Sequence, residues 1–381
     1  VSFGFSTLAL VVVVGMAGPL LASVPRLRIP VVIGELAVGL LIGRTGFGLV
    51  DADDKTFTLL ADIGFALVMF VVGTHVPIRD VTLRASVPKA ALRAVLVGVV
   101  ATAIAVGLAT VFHTGHVAVY AVLMASSSAA LALPVIQALG IDGPSVKGVT
   151  AQIAIADATS IVLLPLVIDP HRALTAAVGA VLIALCACLL FIGLWVSDRR
   201  GWRKRLHHFS QANNFALELR ISLIVLFTLA TLALTMHVSI MLAGFALGVA
   251  VKAAGEPRRL ARQLFGITEG LFGPLFFVWL GASLQVRELG DHPGYIGLGI
   301  GLGVGAVLAH CVGLLTGQPL ALAALAAAQL GVPVAAATLG TQTHLLTPGE
   351  PSALMLGALL TIGVTSIAGV AAASRHRAQT A

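Results

Sequence analysis

Runs of about 20 apolar residues, each closed by a short polar turn, recur from one end of the chain to the other. They are continuously apolar rather than alternating, which excludes the strands of a transmembrane barrel and predicts helices that cross a bilayer. Thirteen are expected, at residues 3–23, 29–46, 57–76, 88–112, 116–139, 147–168, 172–196, 214–236, 237–254, 262–284, 294–316, 318–341 and 351–373. The fold class is therefore an all-α polytopic membrane protein.

Composition narrows this further. Only 10% of the 381 residues are charged and 58% are hydrophobic, against roughly 25% charged in a soluble chain. The 23 basic and 16 acidic side chains cannot cover a water-facing surface, so the outside faces lipid. Cys186, Cys188 and Cys311 lie in apolar runs and read as small hydrophobes, without disulfide or zinc spacing. The net charge of +7 does not point to nucleic acid, because the basic residues fall between spans. Loops after even-numbered spans hold Arg44, Lys55, Arg172 and Arg287; Arg26, Arg28, the stretch from Arg79 to Arg93, Arg199 to Arg205, Arg258, Arg259, Arg375 and Arg377 lie on the other side. That asymmetry puts the N-terminus outside and the C-terminus in the cytoplasm.

A duplication is visible in the glycines. Phe70-Val-Val-Gly73-Thr-His-Val-Pro-Ile-Arg79-Asp80 and Val278-Trp-Leu-Gly281-Ala-Ser-Leu-Gln-Val-Arg287-Glu288 share register 208 residues apart, counted from Gly73 to Gly281. Glu35-Leu-Ala37-Val-Gly39 and Gly244-Phe-Ala246-Leu-Gly248 agree at 209, counted from Gly39 to Gly248. Seven spans separate the copies, an odd number, so spans 1–6 and 8–13 are predicted to be inverted repeats joined by span 7.

The candidate chemistry sits at the midplane. Asp157 lies ten residues beyond Lys147 in span 6, about 15 Å deep by helix rise. A carboxylate there costs about 3 kcal/mol or more unless solvated, paired or protonated, and by default marks an ion or proton path; the alternative is a structural Asp held by a neighbouring helix. Span 5 carries Ser126, Ser127 and Ser128 with Pro134 beyond, and span 12 carries Gly331 and Pro333. These predict two half-membrane helix breaks, or else close packing with ordinary proline kinks. His310 in span 11 is either a proton carrier or an interhelical hydrogen-bond partner. His75, Glu35, Asp62, Glu218 and Glu269 are placed near span ends in structural roles, and His113, His116, His207 and His208 in loops or at the interface.

Pro30-Val-Val-Ile-Gly34-Glu-Leu-Ala-Val-Gly39-Leu-Leu-Ile-Gly43, Phe70-Val-Val-Gly73, Ser126-Ser127-Ser128, Asp157 and Pro274-Leu-Phe-Phe-Val-Trp-Leu-Gly281 together resemble the cation/proton antiporter superfamily, especially its second branch of bacterial sodium/proton and potassium/proton exchangers. The resemblance implies a homodimer in which residues 1–86 and 214–290 form dimer and gate helices. Residues 87–170 and 291–373 form a core that moves like an elevator, and 171–213 a linker helix and basic cytoplasmic loop. It assigns Asp157 as the carboxylate that holds either a proton or a cation. Four departures stand out: Ala156 where electrogenic members carry a second Asp, His310 where a lysine is common, Gly73-Thr74-His75 where Gly-Leu-Glu is frequent, and Gly331-Val-Pro333-Val where some potassium exchangers are acidic. No regulatory domain is expected after residue 373.

The expectation is a secondary antiporter, not an enzyme, exchanging Na⁺ or K⁺ for H⁺. It needs no cofactor, and Ser126, Ser127, Ser128, Thr159 and Ser160 supply oxygens around Asp157. One carboxylate implies electroneutral 1:1 exchange unless His310 adds a proton. The rivals are a transporter of a small organic anion, suited to helix N-termini at the breaks, and a non-transporting sensor that kept the fold.

Overall fold

The computed structural model describes residues 3–24, 31–75, 81–138, 140–201, 209–210, 213, 215–255, 258–284 and 286–380. Most of the basic run after Arg200, the pairs Arg26/Arg28 and His207/His208, Arg79, and the side chains of His75 and Pro134 lie outside what is described. Among the described residues there are helices and turns and no strand. The helices are α1 (Phe5–Gly15), α2 (Ala17–Ala22), α3 (Val31–Ile42), α4 (Lys55–His75), α5 (Val81–Val111), α6 (Val117–Ala125), α7 (Ala129–Ala138), α8 (Pro144–Ile168) and α9 (Ala173–Arg199). They continue as α10 (Leu217–Thr235), α11 (Ile240–Ala253), α12 (Arg258–Ile267), α13 (Gly273–Ser283), α14 (Glu288–Asp291), α15 (Gly294–Cys311), α16 (Leu320–Ala326), α17 (Gly331–Gln342) and α18 (Glu350–Thr380).

Among the described residues ten helical stretches are long and apolar enough to cross a membrane, and three shorter ones, Val31–Ile42, Val117–Leu133 and Ile240–Ala253, complete the predicted thirteen. Several are not the straight rods the hydropathy runs imply. Span 1 bends at Met16 between α1 and α2. Span 10 passes through a π-turn, Thr268–Phe272, between α12 and α13, where one extra residue shifts the helix face. The last turn of span 11 tightens to 3₁₀ at Val312–Thr316. Spans 5 and 12 are each cut in two.

The repeat is visible in three dimensions as two backbone seams. α3 packs on α13 and α4 on α11. A Cβ on Gly39 would lie 2.2 Å from the Val278 carbonyl oxygen, and one on Gly281 would lie 2.2 Å from that of Leu36. On the other seam a Cβ on Gly73 would meet the Phe245 oxygen at 2.4 Å, and one on Gly248 the Phe70 oxygen at 2.1 Å. Gly39 corresponds to Gly248 and Gly73 to Gly281 in the duplicated sequence, so each seam is the other with its partners exchanged. Small residues let the backbones touch where lipid offers no hydrophobic drive between helices.

α9, the predicted connector, is little buried and runs along the outside of α8, α10 and α11. Arg93, counted above with loop charges, is instead buried within α5. Its Nε donates to Thr316 Oγ1 at 2.6 Å and its Nη2 to the Thr316 carbonyl at 3.2 Å, fastening α5 to the end of span 11. Asp54 caps α4, with Oδ1 accepting from the backbone N–H groups of Thr56 at 2.8 Å and Phe57 at 3.2 Å, while Oδ2 accepts from Phe3 N–H at 3.2 Å.

Candidate functional site

The cut in span 5 is made by the serines. Ser126 turns out of α6 with extended dihedrals, φ −70° and ψ 152°, and sends both its N–H (3.1 Å) and its hydroxyl (2.7 Å) back to the Leu123 carbonyl. A serine satisfying its own helix end in this way removes the reason for the helix to continue. Helix resumes at Ala129 and runs through Pro134, so the proline does not make the break. In span 12 the gap is Ala327–Leu330. Gly331 and Pro333 open the second half-helix, where a missing N–H costs nothing.

The two gaps cross and are stitched together. Ser127 Oγ donates to the Ala326 carbonyl at 2.6 Å, Ser128 N–H donates to the Ala328 carbonyl at 2.6 Å, and Gln329 Nε2 donates to the Leu123 carbonyl at 2.6 Å. The backbone oxygens released by the breaks are therefore shared across the crossing rather than left bare; those of Ala326 and Ala328, each with one of these donors, keep a second lone pair, while that of Leu123 is fully used.

Asp157 faces this crossing from the middle of α8. It is 2% exposed, and its Oδ2 accepts the Ala129 N–H at 3.0 Å. Ala129 is the first residue of α7, so the carboxylate sits at the positive end of a half-helix. No described residue donates to Oδ1, which leaves that oxygen for a proton or a cation.

His310 stands on the far side of Ser127. Its Nδ1 lies 2.9 Å from the Ala306 carbonyl one turn back, and its Nε2 lies 3.3 Å from Ser127 Oγ. Ser127 owns one proton, which goes to Ala326. Both histidine contacts are then made together only when both ring nitrogens carry protons. With a neutral ring, the Ser127 hydroxyl must choose between Ala326 and His310. The histidine thus has a different hydrogen-bond pattern in each charge state.

The other predicted oxygens divide. Ser160, three residues beyond Asp157 and on the same side of α8, is buried. Thr159 is exposed and lies about 200° around the helix from Asp157, so it is removed from the shell. Ser126 spends its hydroxyl on its own helix end. Glu35, expected near interfacial water, is 3% exposed inside α3; Asp62 is half-buried in α4, Glu218 half-buried at the start of α10, and Glu269 exposed in the π-turn. None of these four is hydrogen-bonded to the crossing.

Two groups escaped the sequence reading. Gln329 is one, and Glu350 the other. Glu350, one residue before the predicted span 351–373, is fully buried. Its Oε1 takes His116 Nδ1 at 2.7 Å and a short hydrogen bond from the Tyr120 hydroxyl; its Oε2 accepts the Thr347 N–H at 3.0 Å and hydroxyl at 3.1 Å. Thr347-Pro-Gly-Glu350 has the sequence pattern of a capping box, the signal that would have found it, and the Glu350 carboxylate accepts the Thr347 N–H as that pattern predicts. The cluster ties the start of α6, whose other end meets the crossing, to the start of α18.

Inverted repeats with crossed broken helices, and a buried carboxylate at the crossing, define the architecture of a secondary transporter. The chain belongs to the transmembrane sodium/hydrogen exchanger family, which it matches over residues 9–373. It is 27% identical over 339 residues to the Na⁺/H⁺ antiporter NhaS5 of Synechocystis, covering 83% of this chain and 47% of that protein. It is 22% identical over 289 residues to the Na⁺/H⁺-K⁺ antiporter GerN of Bacillus cereus, covering 76% and 73%. The chain thus spans about half the length of the Synechocystis relative. The solved structure of the sodium proton antiporter MjNhaP1 from Methanocaldococcus jannaschii superimposes with a TM-score of 0.66 at 18% identity, covering 97% of this chain and 96% of that one.

Proposed function

We propose that this chain is the membrane unit of a monovalent cation/proton antiporter in which H⁺ and Na⁺ or K⁺ compete for Asp157. The observation that carries the reading is the carboxylate itself, buried and held through one oxygen by the backbone N–H at the head of α7, beside a crossing that brings serine hydroxyls and backbone carbonyls together. Hard cations take oxygen ligands. Ser127, Ser128 and Ser160 supply hydroxyls, and the stitched carbonyls supply further lone pairs. The sodium and potassium antiport named for the Synechocystis and Bacillus relatives points the same way.

The exchange balances as follows. Protonated Asp157 releases H⁺ to one side as a cation takes its place. The loaded core then presents the site to the other side, where the cation leaves and a proton returns. One charge moves each way, so exchange is electroneutral and 1:1. His310 makes it 2:1 only if it sheds a proton in the same cycle. Movement assigns α5–α8 and α15–α18 to the travelling core and α1–α4 with α10–α13 to the frame, in a homodimer with its N-terminus outside. The glycine seams of the frame support this division, since backbone contact at both leaves little freedom for the helices to slide.

A helix N-terminus free for an organic anion would favour the rival transporter. Here that position at α7 is taken by Asp157, so the cation reading stands ahead of it.

The test is proton flux in proteoliposomes on adding Na⁺, K⁺ or Li⁺, with and without a clamped membrane potential, for the wild type beside Asp157→Asn. Flux that requires Asp157 and ignores voltage is the expected result. Folded, dimeric wild type with no flux for any cation would end the antiporter reading in favour of an organic substrate or a sensor. Activity retained in Asp157→Asn would end the assignment of this residue.

A further inference from the structure

Gln329 lies in the gap between α16 and α17 with no exposed surface. Its amide orientation is decided by chemistry: the group 2.6 Å from the Leu123 carbonyl must be the NH₂, since an oxygen there would face an oxygen. That leaves Oε1 with no hydrogen-bond donor among the described residues. A buried amide acceptor without a partner is costly, and native structures keep few of them without a use. The same Leu123 carbonyl receives both Ser126 groups, and the residue before Gln329, Ala328, accepts from Ser128. The orphan oxygen therefore belongs to the stretch of backbone that meets the serine break directly, one residue beyond the Ser128 contact.

We propose that Gln329 Oε1 is a ligand of the transported cation, the second repeat's contribution to a shell whose charge comes from Asp157 in the first. The inference rests on the antiporter reading. A side-chain carbonyl is a neutral, hard oxygen, able to join a sodium or potassium shell without adding charge. It offers nothing to a proton, because an amide does not titrate in the working range. Its partner is then present in only half of the cycle: Oε1 is orphaned when Asp157 is protonated and satisfied when the cation is bound. This makes Gln329 a discriminator between the two substrates. It pulls the competition at Asp157 toward the cation, and its reach sets which ionic radius fits.

The Nε2 clamp to Leu123 is the competing explanation for a buried Gln at this place, and the two atoms can be separated. Gln329→Met removes both functions at similar length. Gln329→Glu keeps an oxygen at the Oε1 position and removes the NH₂ donor. Cation-driven proton flux in proteoliposomes gives the apparent KM for Na⁺ and for K⁺, and thermal stabilisation of detergent-purified protein by the same salts gives binding without turnover. The expected result is an apparent KM raised tenfold or more, with cation stabilisation lost, in Gln329→Met, and both restored to within about threefold of wild type in Gln329→Glu.

Gln329→Asn, with the oxygen drawn back by one methylene, is expected to shift preference toward the larger ion. Unchanged KM in Gln329→Met, or equal loss in folded Gln329→Glu and Gln329→Met, would overturn the proposal and leave the clamp as the whole role. If Gln329→Met does not fold, the Glu and Asn variants decide alone, since loss of cation stabilisation in folded Gln329→Glu overturns the proposal. Absence of flux in the wild type would strike the antiporter reading instead, so the two failures are distinguishable.

Discussion

The two breaks occupy equivalent places in the two repeats and are built from opposite materials. The first, Ser126–Ser128, is three hydroxyls beside a carboxylate. The second, Ala327–Leu330, is apolar except for one amide. A symmetric pair of polar breaks would offer two competing resting places. With the charge confined to one side, the second break contributes neutral groups: the Ala326 and Ala328 carbonyls, held by Ser127 and Ser128, and the Gln329 amide. Symmetry supplies the crossing, and its violation leaves the charge at a single point of it.

The sharpest way to break this comparison is to remove its charge. Asp157→Asn keeps an oxygen for the Ala129 N–H and should fold, with flux reduced to the rate of empty liposomes. Next in size is Glu350→Ala, which strands the Tyr120 and Thr347 donors at the other end of α6. A loss of about 3 kcal/mol in unfolding stability is expected, read by thermal or denaturant melting, with the Na⁺ over K⁺ preference of the remaining folded protein unchanged. If preference moved with it, the latch and the crossing would be one site rather than two.

Ser127→Ala removes the hydroxyl between Ala326 and His310. It should lower stability by about 1 to 2 kcal/mol and alter the pH profile of exchange; the same profile in His310→Ala would show that the serine acts through the histidine. An unaltered profile in both returns His310 to a structural role.

Gly331→Ala sharpens the comparison from the apolar side. The added methyl would lie 2.8 Å from Met241 Sδ and 3.1 Å from Phe65 Cζ, a contact that a flexible methionine can yield. A drop in rate of about two- to fivefold, with stability changed by less than about 1 kcal/mol, is expected. A complete loss would mean that this core surface must glide closely past α4 and α11.

The smallest effect is a control outside both breaks. Hydrogen bonds from the backbone of Phe3 and then Phe57 hold the Asp54 carboxyl below its usual range. Its contribution is therefore present above the ordinary carboxylate pKa and is lost as pH falls through the depressed value. The melting difference between wild type and Asp54→Ala should be greatest at neutral pH and narrow in acid.

What the sequence disclosed follows from which residues are expensive in a membrane. Asp157 announces itself because a lone carboxylate in an apolar run has few innocent explanations, and the glycine pairs because each recurs at one spacing. Gln329 does not announce itself. An amide in an alanine-rich run carries no charge to notice, and only the unsatisfied oxygen gives it away. Glu350 was hidden by its place in a loop, where an acid is ordinarily solvated. Position within the helix was legible only in part: Thr159 sits two residues from Asp157, yet periodicity alone turns it away. Pro134 drew attention that belonged to the serines, because a proline can ride in a helix wherever the freed carbonyl finds another partner.

The seams have a bearing on leakage. Where Gly39 meets Gly281 and Gly73 meets Gly248, the opposing backbones touch without a side chain between them. Such a joint has no rotamer to flip, and on the antiporter reading it gives protons no side-chain path around the carboxylate. A machine that spends one ion gradient to build another loses its work through every unintended path. On that reading the glycines that permit the close fit also serve as electrical insulation.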